Sequence, residues 1–249
     1  MLTVQHCRYL NKNKCNYSIV NLRNHLIATS KFPKHLAILL GQEEISITDV
    51  VRLISWCTIA EIPYVSFYDH KGILQKNETL IRKKFDELEP LLARNIEWSN
   101  LPSNEVSNSQ SVSDLSHSKS DSVCTRVIND DATDIFNKYK TRIKIFSYID
   151  GKEKIVSLTK TLAKYIDLNM LQEKDITSEL LNKELNLYVK MPDPDIAIVF
   201  GKILCTYGFM PWQTRVTEFF VIPTHHGISS VNFIETLIKF SECRQRYGK

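Results

Sequence analysis

Acid–base and metal-ligating residue types occur at few places in this chain where their spacing is suggestive. Asp69-His70 has the makings of an acid–base pair, a carboxylate beside an imidazole that titrates near neutrality. Gly72 follows two residues later, so the same pair also reads as the turn that ends a strand. His225-His226 follows Pro223 and offers two metal-ligand side chains. Adjacent side chains on an extended chain point opposite ways, which favours loop residues over a chelate. The six cysteines are Cys7, Cys15, Cys57, Cys124, Cys205 and Cys243. None forms a CxxC pair, and Cys7 with Cys15 lacks metal-ligand spacing, which argues against zinc. Scattered single cysteines read as reduced thiols facing the cytosol. No activating base stands near Cys205 in sequence.

These residues need elements to hold them. His35-Leu36-Ala37-Ile38-Leu39-Leu40, between Pro33 and Gly41, reads as a buried strand. Ser46-Ile47-Thr48-Asp49 resembles a capping box and opens a helix with Val50, Leu53, Ile54 and Cys57 on one face, ending near Pro63. Tyr64 to Tyr68 is a β-branched and aromatic strand closed by the turn Asp69 to Gly72, completing a βαβ unit. A helix after Asn77 carries Ile81, Phe85, Leu88 and Leu92 and should kink or end at Pro90. Residues 99–123 are dominated by Ser, Asn and Asp and read as a disordered surface insertion. Arg142 to Ile149 alternates polar and apolar, which predicts a strand nearer the sheet edge. A helix with Ile155, Leu158, Leu162 and Tyr165 follows, then another near 177–185. Strands are expected at Ile196 to Phe200 and Val216 to Ile222, and a last helix from Ser230. Strands alternating with helices predict one α/β layer fold with a mostly parallel sheet. Residues 1–30 show no clear periodicity, so the domain is placed at 31–249.

Three blocks together resemble the cis-prenyltransferase family, specifically its Nogo-B receptor type of accessory subunit. They are His35 to Gly41, Ile62 to Gly72, and a long block from Pro192-Asp193-Pro194-Asp195 through Phe209-Met210-Pro211-Trp212 and Arg215-Val216-Thr217-Glu218 to Arg246-Tyr247-Gly248-Lys249. The resemblance implies an undecaprenyl-diphosphate-synthase-like α/β fold, six-stranded, with helices on both faces. Catalytic chains of the family carry an Asp-Gly-Asn motif whose carboxylate helps hold Mg²⁺ against the primer diphosphate. An ungapped match puts Gly41 at that Asp, followed by Gln42, Glu43 and Glu44. The family's two diphosphate-gripping arginines fall on Val199 and Cys205, which cannot bind phosphate.

What the resemblance leaves to this chain is its tail. Arg246, Tyr247 and Gly248 are implied to reach across a dimer into the partner's active site, Arg246 as charge near diphosphate and Gly248 as a close backbone approach. The implied function is a non-catalytic but required subunit of dehydrodolichyl diphosphate synthase. Its catalytic partner elongates farnesyl diphosphate with isopentenyl diphosphate for dolichol synthesis and protein glycosylation, as a heterodimer or a dimer of heterodimers. Mg²⁺ would be held by the partner, with none bound by this chain alone. Phe209, Trp212, Arg215 and Glu218 are interface candidates; Glu218 matches a metal-assisting carboxylate that would stand opposite Gly41. The alternatives are a non-enzymatic membrane scaffold or receptor that keeps the fold, and an autonomous homodimeric enzyme.

Composition fits these readings. Net charge is +4, from 32 basic and 28 acidic residues spread along the chain, which disfavours nucleic acid as a partner. No run of about 18 apolar residues is present and the N-terminus lacks the apolar centre of a signal peptide. Attachment to the cytosolic face of the endoplasmic reticulum membrane is implied by the resemblance alone.

Overall fold

The computed structural model describes residues 31–99 and 140–243. The N-terminal segment 1–30, all but the first residue of the Ser-rich stretch at 99–123, and Arg246, Tyr247 and Gly248 lie outside them.

Six strands form one sheet: β1 (His35–Leu40), β2 (Tyr64–Asp69), β3 (Ile96–Trp98), β4 (Thr141–Phe146), β5 (Ile196–Phe200) and β6 (Glu218–Ile222). Their order is β3-β4-β2-β1-β5-β6, and every pairing is parallel. The central strand β1 pairs with β2 (Leu36 beside Val65) and with β5 (Leu36 beside Ile196). A strand flanked on both sides and covered on both faces must be apolar throughout, which is why β1 reads as an unbroken hydrophobic run.

Alternate residues of β1 serve opposite faces. Leu36, Ile38 and Leu40 enter the larger core with helices α1 (Ile47–Ile59), α3 (Glu78–Leu88) and α6 (Ser230–Glu242). Trp56 and Phe233 meet there at 5.6 Å between ring centroids. Ala37 and Leu39 enter the second core with Tyr68, Phe146, Phe209 and Met210. That face is covered by the end of α5 (Ser178–Val189) and by the connection 201–217. The short helix α2 (Ile73–Lys76) links β2 to α3, and α4 (Lys152–Asp167) precedes α5.

Several expectations need correction in detail. The segment from Arg142 stops being a strand at Phe146, because Asp150 Oδ2 accepts the Ser147 N–H at 2.7 Å and folds the chain back. It does lie near the sheet edge, with only the three-residue strand β3 outside it. Lys144, which made β4 look half-exposed, is 2% exposed. Its ammonium donates to the carbonyls of Tyr188 and Val189 at the C-terminus of α5, at 3.1 and 2.9 Å. Burial pulls its pKa down to about 8, against the pull of Asp150. α3 ends at Leu88, ahead of Pro90, leaving Leu92 outside the helix. Of the expected stripe on α4, only Leu162 is buried; Tyr165 is 44% exposed. β6 begins at Glu218 rather than Val216.

Candidate functional site

In a parallel sheet, side chains that act on ligands gather at the C-terminal ends of the strands. Here those ends are Leu40-Gly41, Asp69-His70, Phe146-Ser147 and Phe200-Gly201. Packing closes the ends of β1 and β5, whereas His70 at the end of β2 stays exposed. The Gly41 N–H donates to Phe200 O at 2.9 Å. A Cβ at position 41 would lie 2.4 Å from that oxygen and 3.1 Å from the Tyr207 hydroxyl, so glycine is what fits. The connection 201–217 folds down over the strand ends through left-handed backbone at Tyr207 (φ +52°) and Gly208 (φ +83°). Tyr68 holds it there, its hydroxyl donating to Tyr207 O at 2.6 Å.

The Asp69-His70 pair is divided between two jobs. Asp69 is 2% exposed and accepts the N–H groups of Ile73 and Leu74 at 2.8 and 2.9 Å, which caps α2. His70 is exposed and its Nδ1 donates to Tyr207 O at 3.2 Å. No acid–base dyad results. Val199 is fully buried within β5, and Cys205 is a half-buried free thiol.

The interface candidates separate in the same way. Phe209 is 1% exposed, against Tyr68 at 5.2 Å and Phe146 at 6.4 Å, so it belongs to the core and not to a partner surface. Trp212 and Arg215 stay together near the surface: the guanidinium stands 5.1 Å from the indole centroid, and the indole N–H donates to Asn182 Oδ1 at 2.8 Å. Glu218 opens β6 beside Ile196, at the N-terminal end of the sheet. Gly41 follows Leu40, which pairs with Phe200 at the other end. A carboxylate opposite Gly41 is therefore not what Glu218 supplies.

The Pro-Asp-Pro-Asp block works at that same N-terminal end. Asp195 Oδ2 accepts the N–H groups of Lys34 and His35 at 2.7 and 3.0 Å. Pro192 O accepts from His35 Nδ1 at 2.6 Å, and Pro194 O accepts the Thr217 hydroxyl at 2.7 Å. With its proton on Nδ1, His35 uses Nε2 to accept from the Ser66 hydroxyl at 2.9 Å. Burial lowers its pKa to about 4. The block is a clamp on β1, β5 and β6 rather than a site of chemistry.

His225 and His226 do not point apart. Their rings lie 4.2 Å apart, and with Glu43 they bring three ligand-type groups within 4.8 Å. The hydrogen bonding argues against a metal. His225 Nε2 accepts the Ser46 N–H at 3.1 Å, so the neutral ring carries its proton on Nδ1, the atom facing Glu43 Oε2 at 3.5 Å. That ring has no lone pair left for an ion. The sequence signalled the two histidines but not Glu43, which meets them only through the fold.

Residues 43–248 match the family model for undecaprenyl diphosphate synthase (Prenyltransf). The chain is 30% identical over 222 residues to the dehydrodolichyl diphosphate synthase complex subunit Nus1 of Mus musculus, covering 88% of this chain and 67% of that protein. It is 30% identical over 238 residues to subunit NUS1 of Saccharomyces cerevisiae, covering 92% of this chain and 62% of that one. This chain thus spans about two thirds of the length of these relatives. Among solved structures, lavandulyl diphosphate synthase from Lavandula x intermedia shares the fold, with a TM-score of 0.57 at 14% identity over 87% of this chain and 98% of that one. A glycine-closed strand end on this parallel sheet, together with these likenesses, leads to one assignment: the chain belongs to the cis-prenyltransferase family, among its Nus1-type complex subunits.

Proposed function

We propose that this chain is a required, non-catalytic subunit of a dehydrodolichyl diphosphate synthase. It pairs with a catalytic cis-prenyltransferase that elongates farnesyl diphosphate with isopentenyl diphosphate. The observation that carries this reading is Gly41. Diphosphate departure needs a divalent cation, and that cation needs oxygen ligands. Gly41 offers none and leaves no room for one, with Phe200 O 2.4 Å from where a Cβ would stand. Glu43 is already engaged by the Thr224 hydroxyl at 2.6 Å. Magnesium and the diphosphate-binding arginines therefore fall to the partner. A polyprenyl product also needs an apolar channel. Between β1, β2 and the helices α1 and α3, Leu53, Phe67, Ile81 and Phe85 are fully buried against one another, which supports placing the channel in the partner too.

By the same reading Arg246, Tyr247 and Gly248 enter the partner's active site, which makes a heterodimer the smallest working unit. β6 pairs only with β5 among the described residues. Apolar side chains are exposed on it at Val221 (42%), just before it at Val216 (47%), and after β5 at Ile203 (70%) and Leu204 (59%). With Trp212 and Arg215, they form the surface offered to the catalytic chain. No described helix is long and apolar enough to cross a membrane, so attachment to the endoplasmic reticulum is assigned to the partner or to residues outside those described.

The test is incorporation of labelled isopentenyl diphosphate by this chain alone, with a catalytic partner, and with that partner after removal of Arg246 to Lys249. The expected pattern is silence alone, activity together and collapse on truncation. Activity of the chain alone would overturn the assignment of Gly41, Val199 and Cys205. Full activity after truncation would leave a scaffold.

A further inference from the structure

The turn that introduces α6 is tied to the start of α1 by one histidine. His225 is 1% exposed, and its Nε2 accepts the Ser46 N–H. Ser46 is the N-cap of α1 and its hydroxyl accepts the Asp49 N–H at 3.3 Å. In a complete capping box the Asp49 carboxylate would return the favour to the Ser46 N–H. Here His225 takes that place, and Asp49 pairs with Arg52. The Nδ1 proton of His225 faces Glu43, which also holds Thr224. Beyond this tie the chain turns through left-handed Gly227, buries Ile228, caps α6 with Ser229 and runs helically to Glu242. α6 thus carries the described chain to its end at Cys243.

We propose that Glu43, His225 and Ser46 are a proton-sensitive mooring for α6, positioning residues that hold the donated tail in register while His225 is neutral. This rests on the donated-tail reading above. A protonated ring carries hydrogen on both nitrogens and would set Nε2–H against the Ser46 N–H, two donors face to face. Mooring and protonation exclude each other. The groups facing the ring are Glu43 from the β1–α1 connection, Asp49 from α1 and His226 beside it. The two carboxylates favour the proton, while burial, the largest influence, and His226 oppose it, so the ring stays neutral to below the usual histidine range.

The experiment measures isopentenyl diphosphate incorporation by the full-length chain in complex with its catalytic partner, from about pH 5.5 to 8. Wild type, His225→Gln and Glu43→Gln are compared. A glutamine amide places an oxygen where Nε2 lies and does not titrate in this range. At neutral pH His225→Gln should match wild type. At the acid end wild type should lose kcat relative to His225→Gln, by a factor that grows as pH falls and is bounded at roughly tenfold, the size of one lost buried hydrogen bond, with KM and partner capture unchanged. Glu43→Gln should move the acid loss to lower pH, because a carboxylate that favours the proton is gone. Superimposable pH profiles for wild type and His225→Gln overturn the proposal. If His225→Gln fails to assemble, an unmoved acid limb in Glu43→Gln overturns it instead. A parallel deletion of 246–249 separates the two ideas. Full rate after deletion removes the donated-tail reading, whereas collapse on deletion with superimposable profiles removes the mooring alone.

Discussion

Gly41 is held by its backbone, through the N–H to Phe200 O, and its lack of a side chain is what lets Tyr207 close over the strand end. Placing an aspartate at position 41 should therefore fail twice. Gly41→Asp is expected to lower stability by about 1–3 kcal/mol, because the obstructing atom is backbone and cannot rotate away. It should also leave the isolated chain inactive. Thermal unfolding and isopentenyl diphosphate incorporation check both; a variant that melts like wild type and turns over substrate would falsify the packing argument. His35 gives a second expectation. Its unfolded-state pKa of 6.5 falls to about 4 in the fold. Between those values the unfolded chain binds a proton that the folded chain refuses, so stability declines as pH falls through that window. The loss amounts to roughly 3 kcal/mol once the lower value is passed, and nothing is lost above the upper one. Urea unfolding followed from neutral to acid pH reads it directly, and a flat profile would count against a neutral, buried ring.

The connection 201–217 has an inner and an outer side, and substitutions should separate them. Phe209→Ala empties a fully packed position between Tyr68 and Phe146 and should cost about 3–5 kcal/mol in the isolated chain. Trp212→Ala with Arg215→Ala should cost less than about 1 kcal/mol yet weaken capture of the catalytic partner. Melting curves and co-purification distinguish the two, and equal losses in both assays for both variants would dissolve the distinction. Such sidedness shows what the sequence could and could not tell. β1, β2 and β5 were legible because burial on both faces forces a continuous apolar run. β3 is three residues long, too short for any period. β4 was legible as a strand near the edge, but not the burial of Lys144, which reaches helix carbonyls instead of water over a sequence distance of 44 residues. α4 shows a helical stripe of which the fold buries one residue, and periodicity records where apolar residues stand, not whether anything covers them. That position 41 carries no side chain was visible in sequence. The closure by Tyr207 and the place of Glu218 at the opposite sheet end were not, since both depend on strand direction and order.

Taken whole, the sheet divides its two ends. The N-terminal ends of β1, β5 and β6 are bound by Asp195, Pro192 and Pro194, while at the C-terminal end of β1 the connection 201–217 closes over Gly41. Asp195→Ala strips the partner from two backbone N–H groups and should lower stability by about 1–3 kcal/mol. At a temperature where it remains folded, the complex should keep its incorporation rate; a rate that falls in step with the melting point would mean that the clamp also shapes the partner contact. The clamp has a further consequence, in time. His35 and Asp195 stand 160 residues apart. A ribosome adding about 5–20 residues per second takes roughly 8–32 s to deliver the second after the first. Throughout that interval one edge of β1, buried along its whole length in the finished protein, has no strand beside it. An apolar edge left open on a nascent chain invites pairing with other chains. What shields that edge during translation then governs how much folded subunit a cell obtains.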